Sequence, residues 1–178
     1  TYYEGWNEYE STITRYDDNG NVIFEGHKDI YSADYTSTKE FEYENNHQVK
    51  LVQSSFDYST GECTSKNIIY SIYDENNQIT NRNYADYDIS TSEEKITRKE
   101  EFVFTTDEDG NEQFTHKLLS LDNDEFYVET ESIMITGSDF VSQINKRYNP
   151  SGELCDGDKS VSSLDKYGNV LSLCVYEY

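Results

Sequence analysis

The decapeptide Thr14-Arg-Tyr-Asp-Asp-Asn-Gly-Asn-Val-Ile23 constrains the fold of this chain more than any other stretch. Thr14 and Tyr16 on one side, and Val22 and Ile23 on the other, are strand formers. Between them Asp17 and Asn19 can bond their side chains to nearby backbone N–H groups, and Gly20 accepts a positive φ without a Cβ clash. The expected structure is a β-hairpin whose loop is a type I turn followed by a left-handed glycine that makes a bulge.

The pattern is an aromatic residue, a glycine or substitute four positions on, and an aliphatic residue two further. It recurs at Tyr43-Glu-Asn-Asn-His47-Gln-Val49 and Tyr73-Asp-Glu-Asn-Asn77-Gln-Ile79, with His and Asn in the glycine position. Tyr148-Asn-Pro-Ser-Gly152-Glu-Leu154 fits fully, Leu164 to Val170 fits with leucine for the aromatic, and Thr106 to Glu112 keeps only the turn. The centres near positions 20, 47, 77, 110 and 168 lie about thirty residues apart with one double gap, the mark of a repeat architecture. Weaker turn signals fall midway, at Ala33-Asp34, Ser59 to Gly61, Ser90 to Ser92, Asp122 to Asp124 and Gly137 to Asp139. The repeat unit is therefore two strands and two turns, and the Gly152 turn is a second-end turn that has kept the motif.

Tyr16-Asp17…Gly20-Asn21-Val22, echoed by Tyr73-Asp74 and by Tyr148…Gly152-Glu153-Leu154, resembles the tyrosine–aspartate (YD) repeats of RHS-type bacterial surface and toxin-delivery proteins. The likeness covers about a third of the chain, at the level of the motif. It implies an antiparallel sheet that coils on itself, with structural or encapsulating roles and no catalytic residues of its own.

The expected fold is all-β, an antiparallel meander of about ten to twelve strands built from hairpin repeats. Either an open, twisted single sheet or a barrel-like closure satisfies it. No Pro-rich or Ser/Gly-rich linker divides the 178 residues, so one domain spanning 1–178 is expected. Leu, Ile, Val and Phe make up only about a fifth of the chain, near the level at which charged chains stay disordered. Seventeen Tyr and eight Phe in alternating patterns argue against disorder and for a sheet with half-buried faces, since tyrosine covers apolar area with its ring and keeps its hydroxyl wet.

Thirty-six acids against fourteen Lys and Arg give a net charge of −22, which repels nucleic acid and anionic membranes. Like charge on exposed strands also resists edge-to-edge pairing. No apolar run is long enough to span a bilayer, and an export leader removed before Thr1 is compatible with the sequence.

Tyr2, Tyr3, Trp6 and Tyr9 form a dense aromatic start, readable as a cap on the first strand or as a sugar-stacking platform; Tyr2, Tyr3 and Trp6 are the candidate ligand-binding residues. Ile68 to Tyr73, Phe102 to Phe104 and Ile133 to Ile135 are short apolar runs expected in central strands buried on both faces. Ser92 to Glu101 has helix-favouring charge pairs but only one apolar residue, Ile96, so a charged edge or a protruding hairpin strand is expected there. Cys63, Cys155 and Cys174 are too few and scattered for a disulfide framework or a zinc site. At most one bridge is available, Cys155 with Cys174; otherwise the thiols act as small apolar residues.

Asp17 to Asn21 and Asp107 to Asn111 place oxygens at alternate positions, but the bidentate glutamate that a calcium loop needs six residues past its glycine is Gly26 in one and His116 in the other. A weak calcium contact or plain Asx-turn chemistry remains. Among so many acids no carboxylate pair can be singled out for glycoside hydrolysis. His27, His47 and His116 sit near turns, with no Gly-x-Ser-x-Gly and no metal-binding His pair, and are read as exposed loop residues. No catalytic residue, cofactor or metal site is expected. The functional expectation is a non-enzymatic, exported or surface-attached bacterial module with a protein or glycan partner. A carbohydrate-active enzyme on a β scaffold and an acidic inhibitor or immunity protein are the alternatives.

Overall fold

The computed structural model describes residues 3–6, 10–29, 31, 32 and 34–177, with 3–6 and 10 described by their backbone alone. The chain is all-β. Its strands are β1 (Tyr3–Trp6), β2 (Glu10–Tyr16), β3 (Val22–Asp29), β4 (Ser37–Glu44), β5 (His47–Phe56), β6 (Cys63–Tyr73) and β7 (Ile79–Asp88). They are followed by β8 (Glu93–Thr106), β9 (Glu112–Asp122), β10 (Glu125–Thr136), β11 (Phe140–Tyr148), β12 (Leu154–Leu164) and β13 (Val170–Glu177). Each strand is hydrogen-bonded to its neighbours in the chain, a meander of thirteen strands among the described residues, one more than the ten to twelve expected. The added one is the four-residue β1. The order is linear and does not close, which selects the open sheet over the barrel.

The hairpin at Asp17–Asn21 forms as its residues dictate. Gly20 N–H donates to the Asp17 carbonyl at 3.2 Å and Asp17 N–H to the Asn21 carbonyl at 2.9 Å, with Gly20 at φ 86°. Asp17 Oδ1 accepts the Asn19 and Asn21 amides at 2.9 and 2.8 Å, while Asn21 Nδ2 donates to Oδ2 at 2.9 Å. The register slips by one between Arg15 and Tyr16, the expected bulge. The same device closes Asp107–Asn111 and Asp165–Asn169, and closes Asp74–Gln78 with Asn77 at φ 63° in the glycine position. His47 is not a glycine substitute. It begins β5 opposite Glu44, and the reversal is made by Asn45 and Asn46 at φ 50° and 64°, because two adjacent asparagines tolerate the left-handed region and close a two-residue turn by themselves.

By contacts the chain divides into two compact units, 1–78 with 82–97 and 79–81 with 98–178. In the first, turns at 17–21, 45–46 and 74–78 share one end of the strands, and reversals at 57–62 and 89–92 lie at the other. Its core is thin. Ile68 on β6 and Ala85 on β7 are each 1% exposed, and they are the buried apolar residues of the described chain. Ile68 lies opposite Val52 of β5. Ile72, in the same run and on the same face as Ile68, is exposed, so the β6 run is not buried along its whole length. Rings compensate laterally. Tyr35 packs edge-on against Phe24 at 5.5 Å and lies over Gly26, where an added Cβ would meet its ring at 2.4 Å; Arg15 covers the same Phe24. His27 and His47 are half-buried strand residues rather than exposed loop ones. His27 Nδ1 is 3.1 Å from Thr12 Oγ1 across the ladder, and His47 stacks on Tyr73 at 4.7 Å.

In the second unit, turns at 107–111, 137–139 and 165–169 share one end, and those at 123–124 and 149–153 the other. Gly152 is thus a second-end turn as expected, whereas the Gly137 turn fills the double gap at the first end instead of lying midway; counting alternate reversals of the meander decides it. Glu93 to Glu101 is strand, within β8, and Ser92 belongs to the turn before it. Val103 and Phe104, on opposite faces of β8, and Met134 of β10 are half or nearly half exposed, so neither Phe102 to Phe104 nor Ile133 to Ile135 is buried on both faces. All three cysteines are free, with Cys155 and Cys174 exposed. Cys174 lies opposite Val161, six residues along β12 from Cys155, about 20 Å at strand rise, so the pair cannot bridge.

Candidate functional site

Tyr2 lies outside the described residues, as do the side chains of Tyr3 and Trp6. The backbone of β1 places Tyr3 opposite Thr14 and Trp6 opposite Ser11. The site that the described residues build is elsewhere, on β9, β10 and β11.

It starts from register. Glu131 on β10 is opposite Lys117 of β9 on one side and Lys146 of β11 on the other, so three charged side chains stand in one row on one face. Glu101 of β8 continues the row opposite Lys117. The Glu131 carboxylate is 3.2 Å from Lys146 Nζ and 3.6 Å from Lys117 Nζ, and it accepts the Tyr148 hydroxyl at 3.4 Å. Its side chain is only 16% exposed, a depth at which a carboxylate is tolerated because it is paired and hydrogen-bonded. Cross-strand opposite charges add roughly 0.2–1 kcal/mol each.

Two irregularities open a hollow beside this row. β10 bulges between Val128 and Thr130, which re-aims the residues before Glu131. The 149–153 turn folds over at the end of β11, held by Asn149 Oδ1, which accepts the Glu153 amide at 2.9 Å and the Ser151 hydroxyl at 2.7 Å. The hollow holds about 430 Å³ and is walled by Tyr127, Val128 and Tyr148, by Pro150 to Gly152, and by Lys117 and Glu131. It is within the usual range of small-ligand pockets, and its walls combine ring and aliphatic surface with a few fixed donors and acceptors.

The opposite face carries another row, His116, Ser132, Asn145 and Asp158 on successive strands. Ser132 Oγ donates to Asn145 Oδ1 at 2.8 Å, and Asn145 Nδ2 donates to Asp158 at 3.2 Å. His116 is half-buried, stacked on Phe102 at 4.9 Å, with Nε2 3.8 Å from Glu100 and without a hydrogen bond. It is neither an exposed loop residue nor a base for Ser132, whose proton is already directed at Asn145. In the first unit, Tyr70 donates to Glu94 at 2.7 Å and Lys50 to Glu42 at 2.9 Å. Burial, then the Glu94 carboxylate, raises the Tyr70 pKa, and the Glu42 hydrogen bond raises that of Lys50. Among the described residues no group of three or more His, Cys, Asp or Glu is arranged to hold a metal ion. The turn aspartates spend their oxygens on backbone amides and asparagine side chains.

Nothing in the residue types marks Lys117, Glu131 and Lys146 in the sequence. Their one signal is spacing: they lie about fifteen residues apart, one strand plus one turn each, as Glu131 and Lys146 show.

No family model matches the chain, and no curated protein matches it. The chain is similar to a solved structure of a protein of unknown function from Bacteroides fragilis at 10% identity and a TM-score of 0.48, over 64% of this chain and 82% of that one.

Proposed function

We propose that this protein is a non-catalytic, exported or surface-attached binding module that takes a neutral, polyhydroxylated ligand, a glycan segment, in the hollow beside Tyr148. The observation that carries the reading is Glu131, held between two ammonium groups and a phenol. The hollow thereby offers hydrogen-bond donors and acceptors already engaged in ion pairs, next to ring surface on which the C–H faces of a sugar can lie. Glycoside hydrolysis asks for two carboxylates facing across a cleft, and Glu131 is the single carboxylate in this wall. A macromolecular cation would be drawn to the acidic surface at large, where its binding would be lost in salt; a neutral glycan would not. Surface attachment rests on the acidic, tyrosine-rich composition and on the resemblance of the Tyr16 to Val22 motif to YD repeats.

The test is titration of the protein with neutral oligosaccharides, followed by amide chemical shifts. Shifts should concentrate at Lys117, Glu131 and Tyr148 and persist in high salt, and Tyr148→Ala should weaken binding about tenfold, the usual range for losing one stacked ring in a small site. Release of new reducing ends would instead make the protein an enzyme, and shifts elsewhere would remove the hollow as the site.

A further inference from the structure

The ladder that β10 makes with β11 is shorter than the one it makes with β9. β9 pairs with β10 from Glu125 to Thr136, whereas β11 joins β10 only from Thr130, opposite Arg147. Among the described residues, Glu125 to Glu129 therefore have a strand on one side alone. β10 and β11 both lie inside the strand order, so this opening comes from the unequal lengths of two hairpins and not from an end of the chain. β11 does not close it. Asn149, the residue that would come next in the ladder, turns both of its backbone groups into its own turn: its N–H donates to the Glu153 carbonyl at 3.0 Å, and its carbonyl accepts the Gly152 amide at 2.9 Å. Pro150 then has no N–H to offer.

The β9–β10 turn fixes which groups face the opening. Asn123 and Asp124, at φ 47° and 66°, make a two-residue reversal, in which the flanking pair Asp122 and Glu125 exchanges both of its hydrogen bonds. Alternation along the strand then turns the N–H and C=O of Phe126 and of Val128 away from β9 and toward the opening, up to the bulge that follows Val128. Donors and acceptors repeated at the two-residue spacing of a strand are matched by another extended backbone. Val128 and the turn residues Pro150 to Gly152 also wall the hollow, so the open edge and the hollow share a border. We infer that the ligand is a glycan bearing a short peptide, with the sugar in the hollow and the peptide added to β10 as a strand beside Phe126 and Val128; this rests on the glycan reading above. Glu125 to Glu129 span about 16 Å at strand rise, a length that a peptide of about three to five residues fills.

Four probes separate the two parts of the ligand: chitobiose, a short oligoalanine, chitobiose joined to that oligoalanine, and the same conjugate with its peptide amides N-methylated. In calorimetric titrations the conjugate should bind about tenfold or more tighter than chitobiose, the gain expected from a few added backbone hydrogen bonds. N-methylation removes the peptide's donors and should return the affinity to that of chitobiose. With the conjugate bound, the Phe126 and Val128 amides should become slow to exchange with solvent. Conjugate and chitobiose binding equally well at the hollow would overturn the peptide arm and leave the glycan reading standing, whereas binding of neither would overturn both. Oligoalanine binding as tightly without its sugar would overturn the peptide-bearing glycan as the ligand. So would Phe126 and Val128 amides already protected in the free protein, which would mean that other polypeptide covers the edge.

Discussion

Strands β6 and β13 are both rich in aliphatic residues, yet Ile68 of β6 is 1% exposed and Leu173 of β13 is 61% exposed. Hydrophobicity does not separate them. Ile68 has Val52 opposite it and a further strand on its other flank, while Leu173 has Ser162 opposite and, among the described residues, no strand beyond. In a single layer of strands, apolar area is covered by side neighbours, so burial depends on having two of them and on their size. The tyrosines and phenylalanines fit this regime, because a long flat ring reaches across a neighbouring strand where an aliphatic side chain does not.

The largest effect that can break this comparison is a truncation made on both strands. Ile68→Ala should lower stability by about 2–5 kcal/mol, the range for removing a buried aliphatic group. Leu173→Ala should change it by less than about 0.5 kcal/mol, as exposed substitutions do. Urea unfolding with an unchanged slope reads both. Equal losses would mean that β13 is covered. A smaller effect sharpens the same point in β3: Gly26→Ala drives a methyl group into the Tyr35 ring and should cost about 1–3 kcal/mol by overpacking. Unchanged stability would show that ring to be an ornament rather than lateral cover.

The smallest effect concerns turns, which should not depend on burial at all. Asp57, in the reversal after β5, has its carboxyl pulled down to about 2, first by the Ser59 hydroxyl and then by the Thr60 and Ser59 amides. Asp165, in the turn before β13, is lowered below 3.8 by the Asn169 side chain and then by the Asn169 and Tyr167 amides. A depressed folded-state pKa stabilises above the unfolded value near 3.8, and that contribution is lost as pH falls from there through the folded value, near 2 for Asp57. Carboxyl NMR titrations should show both midpoints depressed, beside the covered strand β5 and beside the exposed strand β13 alike. A normal midpoint at Asp165 beside a low one at Asp57 would mean that the turn chemistry depends on the strands it joins.

The turns were legible in the sequence because their causes lie within five residues: an acceptor side chain, two amides and a residue able to take positive φ. His47 was misplaced for a reason of the same kind, since Asn45-Asn46 offered a shorter closure two residues earlier. The thin core was legible as composition but not as position. Ile72, Val103, Phe104 and Met134 belong to apolar runs that look buried, yet each is exposed, and nothing local says so. The Lys117, Glu131 and Lys146 row was invisible for another reason, because each is an ordinary solvated charge until register sets it beside the others.

Local chemistry, then, settles that this polypeptide reverses where it does and that the pieces between are antiparallel strands, since a hairpin's turn needs no information from outside itself. Which side chains stand opposite one another is decided by the folded ladder. A one-residue bulge such as that after Val128 changes every later partner, and so it is the assembled sheet that pairs Glu131 with two lysines, keeps Cys155 from Cys174, and sets Leu173 opposite a serine.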